Sequence, residues 1–477
     1  MIVLYSVLII IVILALICVV RALLVKPVPC CPFEVSDERK KRSQSYAQGL
    51  VRLVQKETIS AVDSEDTEKF YQFHETLEKE FPNVHRVCEK HDFDGSLLFK
   101  WKGSDAQAEP ILLLNHLDVV EANAADWTSA PFAGEIRDNK IYGRGVADDK
   151  GPLYAMYQGV EELIATGYVP KCDVYLASSC TEEVVGIGAV KTANWLKEQG
   201  IYFRFLLDEG GMIVDEPIKG VKGAFAMIGV MEKAQGNVKF IAKSVGGHAS
   251  APGKRTPLVR LGQFMSEVEK HYPFKVELAD YFLEMLRRLG PALPFVARIV
   301  TANLWLFKPV LKIVVKEVPM MAAMTRTTMA FTTARGSNGY NVLPQEAYVT
   351  ANIRYAPHQS IEETHRILKT LAQQYDLEME VINAGQPIPV VDYKSEAFRL
   401  VEKAIGEIYT GVQVSPYIMT GGTDAQFYSE LTANGLRFAP FYVTADQISR
   451  IHGVDENLNV DTLASGVDFY KWLIENV

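Results

Sequence analysis

The stretch YGRGVADDKG at residues 142–151 places two adjacent aspartates, Asp148 and Asp149, between glycines. Because glycine permits backbone conformations that other residues avoid, a neighbouring carboxylate can be held at an unusual angle. A carboxylate held in this way suits the bridging of two cations. A simpler interpretation also fits, since Asp is favoured at the start of a helix and Pro152 suits its first turn. The stretch alone therefore leaves metal bridging and helix capping open.

Strand-like and helix-like segments alternate around this stretch. Apolar runs predict strands at residues 96–101, 111–120, 173–179 and 203–207, and helical spacing predicts helices at residues 38–56, 67–81, 152–166 and 189–199. This alternation predicts an α/β fold, in which a layered catalytic domain is built on a central mixed sheet.

The rhythm of the chain changes near Met231. A small β-α-β-β-α-β unit is indicated by strands at residues 238–242, 346–355 and 377–382 and helices at residues 257–271 and 360–375. The larger pattern then returns and closes with a helix at residues 461–475. We therefore expect a catalytic domain made of residues 37–231 and 386–477, with residues 232–385 forming a small inserted α+β domain.

Residues 274–329 lie between the two halves of this unit and are rich in aromatic and aliphatic side chains, including Trp305, Leu306 and Phe307. Two interpretations stay open for this segment. It could form extra helices that pack on the inserted domain, or it could form an apolar cover for a lipophilic substrate.

The N-terminal segment is strongly apolar. Residues 1–20 contain no charged side chain, and at about 1.5 Å per residue they span roughly the 30 Å hydrocarbon core of a bilayer. The basic start and small-residue cleavage site of a secretory signal are missing. We therefore expect a single transmembrane anchor at residues 1–25 and a short tether at residues 26–36.

Basic residues after the anchor bear on its orientation. Arg21, Lys26 and the basic run at residues 39–42 all follow the apolar segment. The positive-inside rule then places the body on the cytoplasmic side of the membrane. That count weakens if residues 39–42 belong to the first helix of the body, so the side of the membrane stays open.

The composition excludes several classes of protein. A chain of 477 residues exceeds what one hydrophobic core usually supports, so we expect two or more domains. The net charge of −9, without a basic patch, argues against a nucleic-acid partner. The six cysteines form no CxxC pair and no regular spacing, which favours free thiols over a zinc knuckle or a disulfide framework.

A histidine and an aspartate end the predicted strand at residues 111–120. Leu112, Leu114, His116 and Asp118 alternate along it and would share one face. His116 could then ligate a cation while Asp118 accepts the other imidazole N–H and fixes its tautomer. A histidine satisfied inside the core is the competing interpretation.

Further acidic residues and a histidine follow other strands or lie in loops. Glu182 and Glu183 follow the strand DVYLASSC, Asp208 ends FRFLLDEGG, and His452 lies in RIHGVDE. Adjacent glutamates point different ways, so one can bind metal while the other acts as a general base; a solvated pair is the alternative. Because ligands gather at the carboxyl ends of strands in α/β sheets, these groups could together bind two zinc ions that activate a water.

Nine short motifs occur in the order found in the di-zinc aminoacylase and carboxypeptidase S family of metallopeptidases. They are HLDVV, GRGVADDKG, TEE, LLDEGG, GGHASAP, NVLP, NIRY, GGTDAQF and IHGVDE. The chain resembles this family over nearly its whole body, and within it most resembles the carboxypeptidase S and N-fatty-acyl-amino-acid synthase/hydrolase members.

The resemblance implies a role for each matching residue at the metal site. Asp148 is expected to bridge two metals, with His116 and Asp208 as terminal ligands on different ions. Glu183 and His452 would be the remaining ligands. Asp118 would be the acid that orients the histidine, and Glu182 the base that deprotonates the bridging water.

The resemblance also implies a substrate site. His248, in GGHASAP, would stabilise the oxyanion, and in several relatives this residue reaches across a dimer or arrives as a lid closes. The inserted domain is therefore expected to act as a lid or as the interface of a homodimer. Asn341 and Arg354 would hold a substrate carboxylate, helped by backbone N–H groups of three residues: Gly421, Gly422 and Thr423.

Together these expectations describe a membrane-anchored di-zinc hydrolase of N-acyl amino acids or short peptides with a free C-terminal carboxylate. The sequence does not decide whether the substrate is a peptide or an N-acyl amino acid, or whether the bound metal is Zn²⁺, Co²⁺ or Mn²⁺. The rival hypothesis is a catalytically inactive, metal-containing binding module that presents the inserted domain to a partner. Glu182 separates the two, because a binding module has no reason to keep a base beside Glu183.

Overall fold

The computed structural model describes residues 1–27, 33–62, 66–184 and 186–477, so part of the predicted tether, with Cys30 and Cys31, lies outside the described residues. The α-helices are α1 Ile2–Leu24, α2 Asp37–Val54, α3 Glu68–Glu80, α4 Pro82–Val87, α5 Lys150–Ala165, α6 Ile187–Glu198, α7 Pro257–Lys270, α8 Asp280–Leu289, α9 Phe295–Ala302, α10 Leu304–Glu317, α11 Pro319–Thr325, α12 Ile361–Gln374, α13 Glu396–Ile408, α14 Ala445–Arg450 and α15 Leu463–Glu475. The strands are β1 Glu89–Phe93, β2 Ser96–Trp101, β3 Ile111–Leu114, β4 Glu135–Arg137, β5 Lys140–Tyr142, β6 Val174–Ser178, β7 Phe205–Asp208, β8 Ile213–Val214, β9 Phe225–Glu232, β10 Ala234–Lys243, β11 Gly247–His248, β12 Thr328–Arg335, β13 Val342–Leu343, β14 Glu346–Tyr355, β15 Glu378–Ala384, β16 Gln413–Met419, β17 Gly435–Arg437, β18 Tyr442–Val443 and β19 Asn457–Asn459.

The largest sheet has ten strands in the order β1-β2-β6-β3-β7-β17-β9-β8-β18, with β16 paired to β9. Strands β6, β3, β7 and β17 run parallel to their neighbours in this group, whereas β1, β2 and β8 join antiparallel partners. The predicted α/β fold with a central mixed sheet is confirmed.

The central strands are buried on both faces, which explains their continuous apolar sequences. Leu113 and Leu176 belong to the core cluster that includes residues of α2, α5 and α15, whereas Leu112 and Tyr175 belong to the cluster that includes residues of α6. Alternate residues of a strand thus feed opposite faces of the sheet.

The predicted strand at residues 111–120 is too long. Strand β3 ends at Leu114, so His116 and Asp118 lie in the loop that follows rather than on a strand face. The reason is topological: β3 is a buried parallel strand between β6 and β7, and its chain must turn away at the carboxyl edge of the sheet. Because β6, β3 and β7 are adjacent, the segments that follow them meet at that edge.

A second, four-stranded antiparallel sheet is formed between Ala234 and Ala384, in the order β12-β14-β10-β15. Strand β14 buries every second residue, and its buried face belongs to a separate core cluster shared with α7 and α12. Arg354 lies on the opposite face of β14, so its side chain points away from that core cluster and can extend into the space between the two sheets.

The aromatic segment forms the helices α8–α11. Phe282 and Leu286 of α8 lie in one buried cluster with Met227 of β9 and Ile418 of β16, so this part packs on the large sheet. The first sequence interpretation is right that the segment forms extra helices, but α8 packs on the large sheet and not on the inserted domain. Helices α9 and α10 bury few of their residues.

Helix α1 is long and apolar enough to cross a membrane, although a signal sequence near an N-terminus meets the same criterion. Only Cys18 and Ala22 of this helix are buried, and they lie near its C-terminal end. The cysteines of the described residues, Cys18, Cys88, Cys172 and Cys180, are buried and free.

Candidate active site

The Asp148 carboxylate lies between two imidazoles that come from opposite ends of the body. Its Oδ1 is 3.0 Å from His116 Nε2, and its Oδ2 is 3.1 Å from His452 Nε2. Each oxygen of one carboxylate therefore faces a different histidine. This arrangement is the one that a bridging carboxylate requires.

Asp149 points elsewhere, although it adjoins Asp148. Its Oδ2 accepts a hydrogen bond from the backbone N–H of His116 at 2.9 Å. Asp149 occupies the N-cap position of α5, but its side chain makes no capping hydrogen bond within the described residues. The helix begins where the sequence suggested, while the carboxylate supports the loop of His116 instead.

The tautomer of His116 follows from its neighbours. Nδ1 lies 2.9 Å from the main-chain oxygen of Asp118 and 3.4 Å from its Oδ1. A carbonyl oxygen only accepts, so Nδ1 must carry the proton and Nε2 is free to bind a cation. The Asp118 carboxylate itself accepts from the backbone N–H groups of Glu182 and Glu183, both at 3.1 Å, and from Ser60 Oγ at 2.6 Å. Asp118 thus organises the Glu-Glu turn as well as the histidine.

Two groups of side chains bring their ligand atoms within 4.8 Å of one another. One contains His116, Asp148 and Glu183, and the other contains His116, Glu182 and Glu209. Glu183 Oε2 also lies 3.0 Å from His452 Nε2. Glu183 Oε1 is buried and has no hydrogen-bond partner among the described residues. An orphaned carboxylate oxygen in a cluster of imidazoles and carboxylates fits the donor set that zinc prefers.

The structure does not place Asp208 in either group. Its Oδ1 accepts from the N–H of Glu209 at 2.9 Å, and its Oδ2 accepts from the N–H of Ala425 at 2.7 Å. Both oxygens of Asp208 therefore already accept a backbone N–H group. The next residue, Glu209, is half-buried and lines the same pocket as Asp148 and Glu183.

Glu456 and Arg144 complete the support of the metal cluster, and sequence reasoning missed both. Glu456 is fully buried and accepts from the N–H groups of Gly145, Ala147 and Asp148 at 2.9–3.2 Å. Arg144 Nη1 donates to Glu456 at 2.7 Å, and Nη2 donates to the main-chain oxygen of His452 at 3.2 Å. The motifs GRGVADDKG and IHGVDE are therefore clamped together. Arg144 and Glu456 stand in these two motifs, but no spacing in the sequence indicates that they contact each other.

Electrostatics at this edge of the sheet favour a bound cation. Burial raises the pKa of the Glu182 carboxyl well above its ordinary value, and the Asp424 and Asp148 carboxylates raise it further. Hydrogen bonds that the His452 imidazole donates to the Asp148 and Glu183 carboxylates raise the pKa of His452 to about 10. Crowded carboxylates of this kind are stabilised when a divalent cation neutralises them.

A cavity of about 720 Å³ opens beside the cluster, between the two sheets. Its lining includes four of the predicted substrate residues, Arg354, Gly421, Gly422 and Thr423. The backbone N–H of Thr423 donates to Glu232 Oε2 at 2.5 Å, so it is already engaged. Gln235, which pairs with Arg354 on the neighbouring strand, and Asn383 also line the cavity.

His248 and Asn341, by contrast, are exposed and are not among the described residues that line this cavity. His248 lies in β11, which pairs with β13 directly after Asn341, and its Nδ1 is 2.6 Å from Ser250 Oγ. Their predicted contacts with substrate stay predictions.

The chain is similar to known proteins in its sequence profile, in individual relatives and in its fold. A profile described as peptidase family M20/M25/M40 matches residues 112–476. The chain is 34% identical over 444 residues to the probable carboxypeptidase S-like 2 of Dictyostelium discoideum, covering 90% of this chain and 84% of that one. It is 31% identical over 456 residues to the N-fatty-acyl-amino acid synthase/hydrolase PM20D1 of Homo sapiens, covering 93% and 89%. The M20 family metallo-carboxypeptidase Sso-CP2 of Sulfolobus solfataricus shares the fold, with a TM-score of 0.67 at 17% identity over 90% and 98% of the two chains.

Proposed function

The chain belongs to peptidase family M20/M25/M40 and is a metal-dependent peptidase or amidohydrolase, and from this premise we propose that it is a membrane-anchored di-zinc hydrolase. It cleaves the amide bond of N-acyl amino acids or of short peptides with a free C-terminal carboxylate. The observation that carries this proposal is the Asp148 carboxylate, whose two oxygens face His116 and His452 separately.

The described residues offer two sets of ligands around that carboxylate. His116, Asp148 and Glu209 would hold one ion, and Asp148, Glu183 and His452 would hold the other. Glu209 would take the ligand position that the resemblance assigned to Asp208, because both Asp208 oxygens already accept backbone N–H groups. Two bound zinc ions would supply Lewis acidity that polarises the substrate carbonyl and acidifies the attacking water.

The side chains perform the remaining steps. Glu182 accepts a proton from the attacking water and then delivers it to the leaving amide nitrogen. The Asp118 carboxylate holds Glu182 in place by accepting the backbone N–H of Glu182. The Asp118 main-chain oxygen accepts the proton on Nδ1 of His116, so Nε2 stays unprotonated. Because amide hydrolysis is reversible, the same groups can condense an acyl acid with an amino acid when both are abundant.

Arg354 provides the selective contact for the substrate. Arg354 lines the same cavity as the carboxylate cluster, where its guanidinium can hold a free carboxylate through two parallel hydrogen bonds. Arg354 Nε is 3.2 Å from Asn352 Oδ1, which fixes the orientation of the side chain.

We expect Arg354→Ala to lower kcat/KM for substrates with a free carboxylate by about 10- to 150-fold, since a hydrogen bond to a charged group contributes about 1.5–3 kcal/mol. Arg354→Lys, which keeps the charge but loses the fork, should fall in between. A panel of dipeptides, N-acetyl and N-oleoyl amino acids and their C-terminal amides measures this and identifies the acyl group preferred. Equal rates on acids and amides would contradict the carboxylate contact, and zinc-loaded protein that leaves the whole panel intact would contradict the hydrolase.

Glu209 and Asp208 give a separate test of the ligand set. Glu209→Gln should lower the zinc content from about two ions to one, because one centre loses an anionic ligand. Asp208→Asn should keep both ions and lose thermal stability, because one of two backbone N–H groups loses its acceptor. Metal analysis of both purified variants with melting curves separates these outcomes, and zinc loss confined to Asp208→Asn would restore Asp208 as the ligand.

The anchor part of the proposal rests on α1. The helix has 23 residues, and Asn303 of the body donates a hydrogen bond to the Cys18 carbonyl at 3.0 Å, so α1 is integrated with the folded chain. Flotation of the full chain with lipid vesicles tests this assignment, and protein left at the bottom of the gradient would contradict it.

A further inference from the structure

Helix α1 docks on the body through its C-terminal third. Cys18 and Ala22 are buried against the body, where α9 is their main contact. The Asn303 side chain, itself fully buried, donates to the Cys18 carbonyl at 3.0 Å, and Arg21 Nε donates to the Ala302 carbonyl at 3.3 Å. Residues 1–13 are exposed throughout. The body therefore contacts α1 within its apolar segment and not only beyond the end of that segment.

The length of α1 determines how deep in a bilayer this contact would lie. Its 23 residues extend about 34 Å, which exceeds the roughly 30 Å hydrocarbon core by only about 4 Å. Cys18 lies six residues, or about 9 Å, before the end of the helix at Leu24. With α1 across a bilayer, Cys18 therefore sits about 5–9 Å inside the hydrocarbon boundary. Helix α9, which contacts it, cannot remain entirely in water.

The surface around α9 is suited to that position. Large apolar side chains from α9 to α11 are exposed by more than half: Val296 76%, Trp305 56%, Val310 53%, Ile313 66% and Met320 59%. Soluble proteins seldom expose so many large apolar side chains on successive helices without a partner. The partner must therefore be apolar and must lie beside α1.

Helix α10 also carries a basic stripe. Lys308, Lys312 and Lys316 follow one another at intervals of four residues, so they share one side of the helix, and all three are exposed. Trp305 precedes Lys308 by three residues and lies on the lysine side of α10, whereas the exposed Val310 and Val314 lie on the other side. A helix with lysines and a tryptophan on one side and apolar residues on the other suits the boundary between acyl chains and anionic headgroups. Tryptophan, here Trp305, is favoured at the same depth.

We propose that helices α9–α11 form a membrane-docking surface that lies in the headgroup and acyl boundary of an anionic bilayer, next to the anchor. The inference rests on α1 being the anchor, and it goes beyond the proposed hydrolase activity. This surface holds the body against the membrane at a second place. The body is then attached to the membrane by more than the anchor and its tether. Helix α8 contacts α9 and packs on β9 and β16, so it connects this surface to the strand that brings Met419 to the active-site cavity.

Tryptophan fluorescence can test this surface in the full chain. Helix α1 contains no tryptophan, while Trp101 and Trp127 are buried and Trp195 and Trp472 are partly buried. The purified chain is reconstituted in phosphatidylcholine–phosphatidylserine vesicles that contain lipids brominated near the headgroup. We expect bromolipid to quench part of the emission, and Trp305→Phe to remove most of that quenchable part. Trp195→Phe is the matched control and should leave it unchanged.

Charge gives a second measurement on the same preparation. Replacing the three lysines by glutamine should reduce the quenching in anionic vesicles and leave it unchanged in pure phosphatidylcholine. Flotation with no bromolipid quenching would overturn the docking surface while leaving the anchor intact. Failure to float would overturn both. Trp305 shielded from bromolipid and from aqueous iodide, with crosslinks between chains, would overturn the proposal in favour of an interface between two copies. Catalytic rates do not enter these readouts, so the hydrolase is tested separately.

Discussion

Replacing Glu182 with glutamine should lower kcat by about 10²- to 10⁴-fold while the zinc content stays at the wild-type level. Glutamine has the shape of glutamate but cannot accept a proton from the attacking water. The backbone N–H of residue 182 still donates to Asp118, so the turn that positions this side chain is preserved. Metal analysis and steady-state kinetics on the same preparation measure both parts of the prediction.

The neighbouring glutamate provides the control. Glu183→Gln removes an oxygen that faces His452 at 3.0 Å, so we expect this variant to lose zinc as well as turnover. Glu182 also belongs to one group of potential ligands with His116 and Glu209. If Glu182→Gln lost zinc in parallel with activity, Glu182 would be a ligand and not the base. Unchanged turnover would exclude it from both roles and favour the inactive binding module.

Much of this site could be predicted from the sequence because of one regularity of α/β sheets. Buried apolar runs identify β3, β6 and β7, and polar residues directly after them must gather at one edge. That reasoning placed His116, Glu182 and Glu183 together without any knowledge of distances. It predicted the neighbourhood correctly even though the strand at residues 111–120 was too long, because the edge of the sheet fixes the position in either case.

The choice between Asp208 and Glu209 could not be made in this way. Both follow the same strand, and adjacent carboxylates look equivalent in a sequence. The backbone N–H groups of Glu209 and Ala425 distinguish them by occupying both oxygens of Asp208. One of these donors comes from a loop more than 200 residues away, and no local pattern indicates such a contact. The same holds for Glu456, whose bonds to residues 145–148 depend on the tertiary fold.

His248 and Asn341 show another kind of limit. Their roles came from resemblance alone, and the structure places them on an exposed ribbon outside the cavity. Unlike Arg354 of the same domain, these two side chains can reach a substrate in the cavity only if the inserted domain moves or if a second copy supplies them. A single sequence carries little information on either event, since both depend on small differences in free energy between whole arrangements. Their assignment therefore stays a prediction, as does the role of the inserted domain.

The stretch YGRGVADDKG leads to the second large effect, which distinguishes its two aspartates. We expect Asp148→Asn to lose most bound zinc and all measurable turnover, because an amide cannot offer an anionic oxygen to each of two cations. Asp149→Asn should keep its zinc and lose at most about 10- to 100-fold in metal affinity or activity, the range typical of a group that supports a ligand. Asparagine at position 149 has the same shape and can still accept the His116 N–H through its remaining oxygen.

Zinc counting on both variants, with melting curves to exclude unfolding, measures the difference. The two residues are matched in type and position in the chain, so a general effect of losing one negative charge should appear in both. Only the geometry separates them, since Asp148 faces His116 and His452 while Asp149 faces the backbone. Greater zinc loss from Asp149→Asn would reverse the assignment, and equal loss would mean that charge alone holds the metal. A loss confined to Asp148→Asn would support Asp148 as the shared ligand, because its two oxygens face His116 and His452, which reach it from loops more than 300 residues apart.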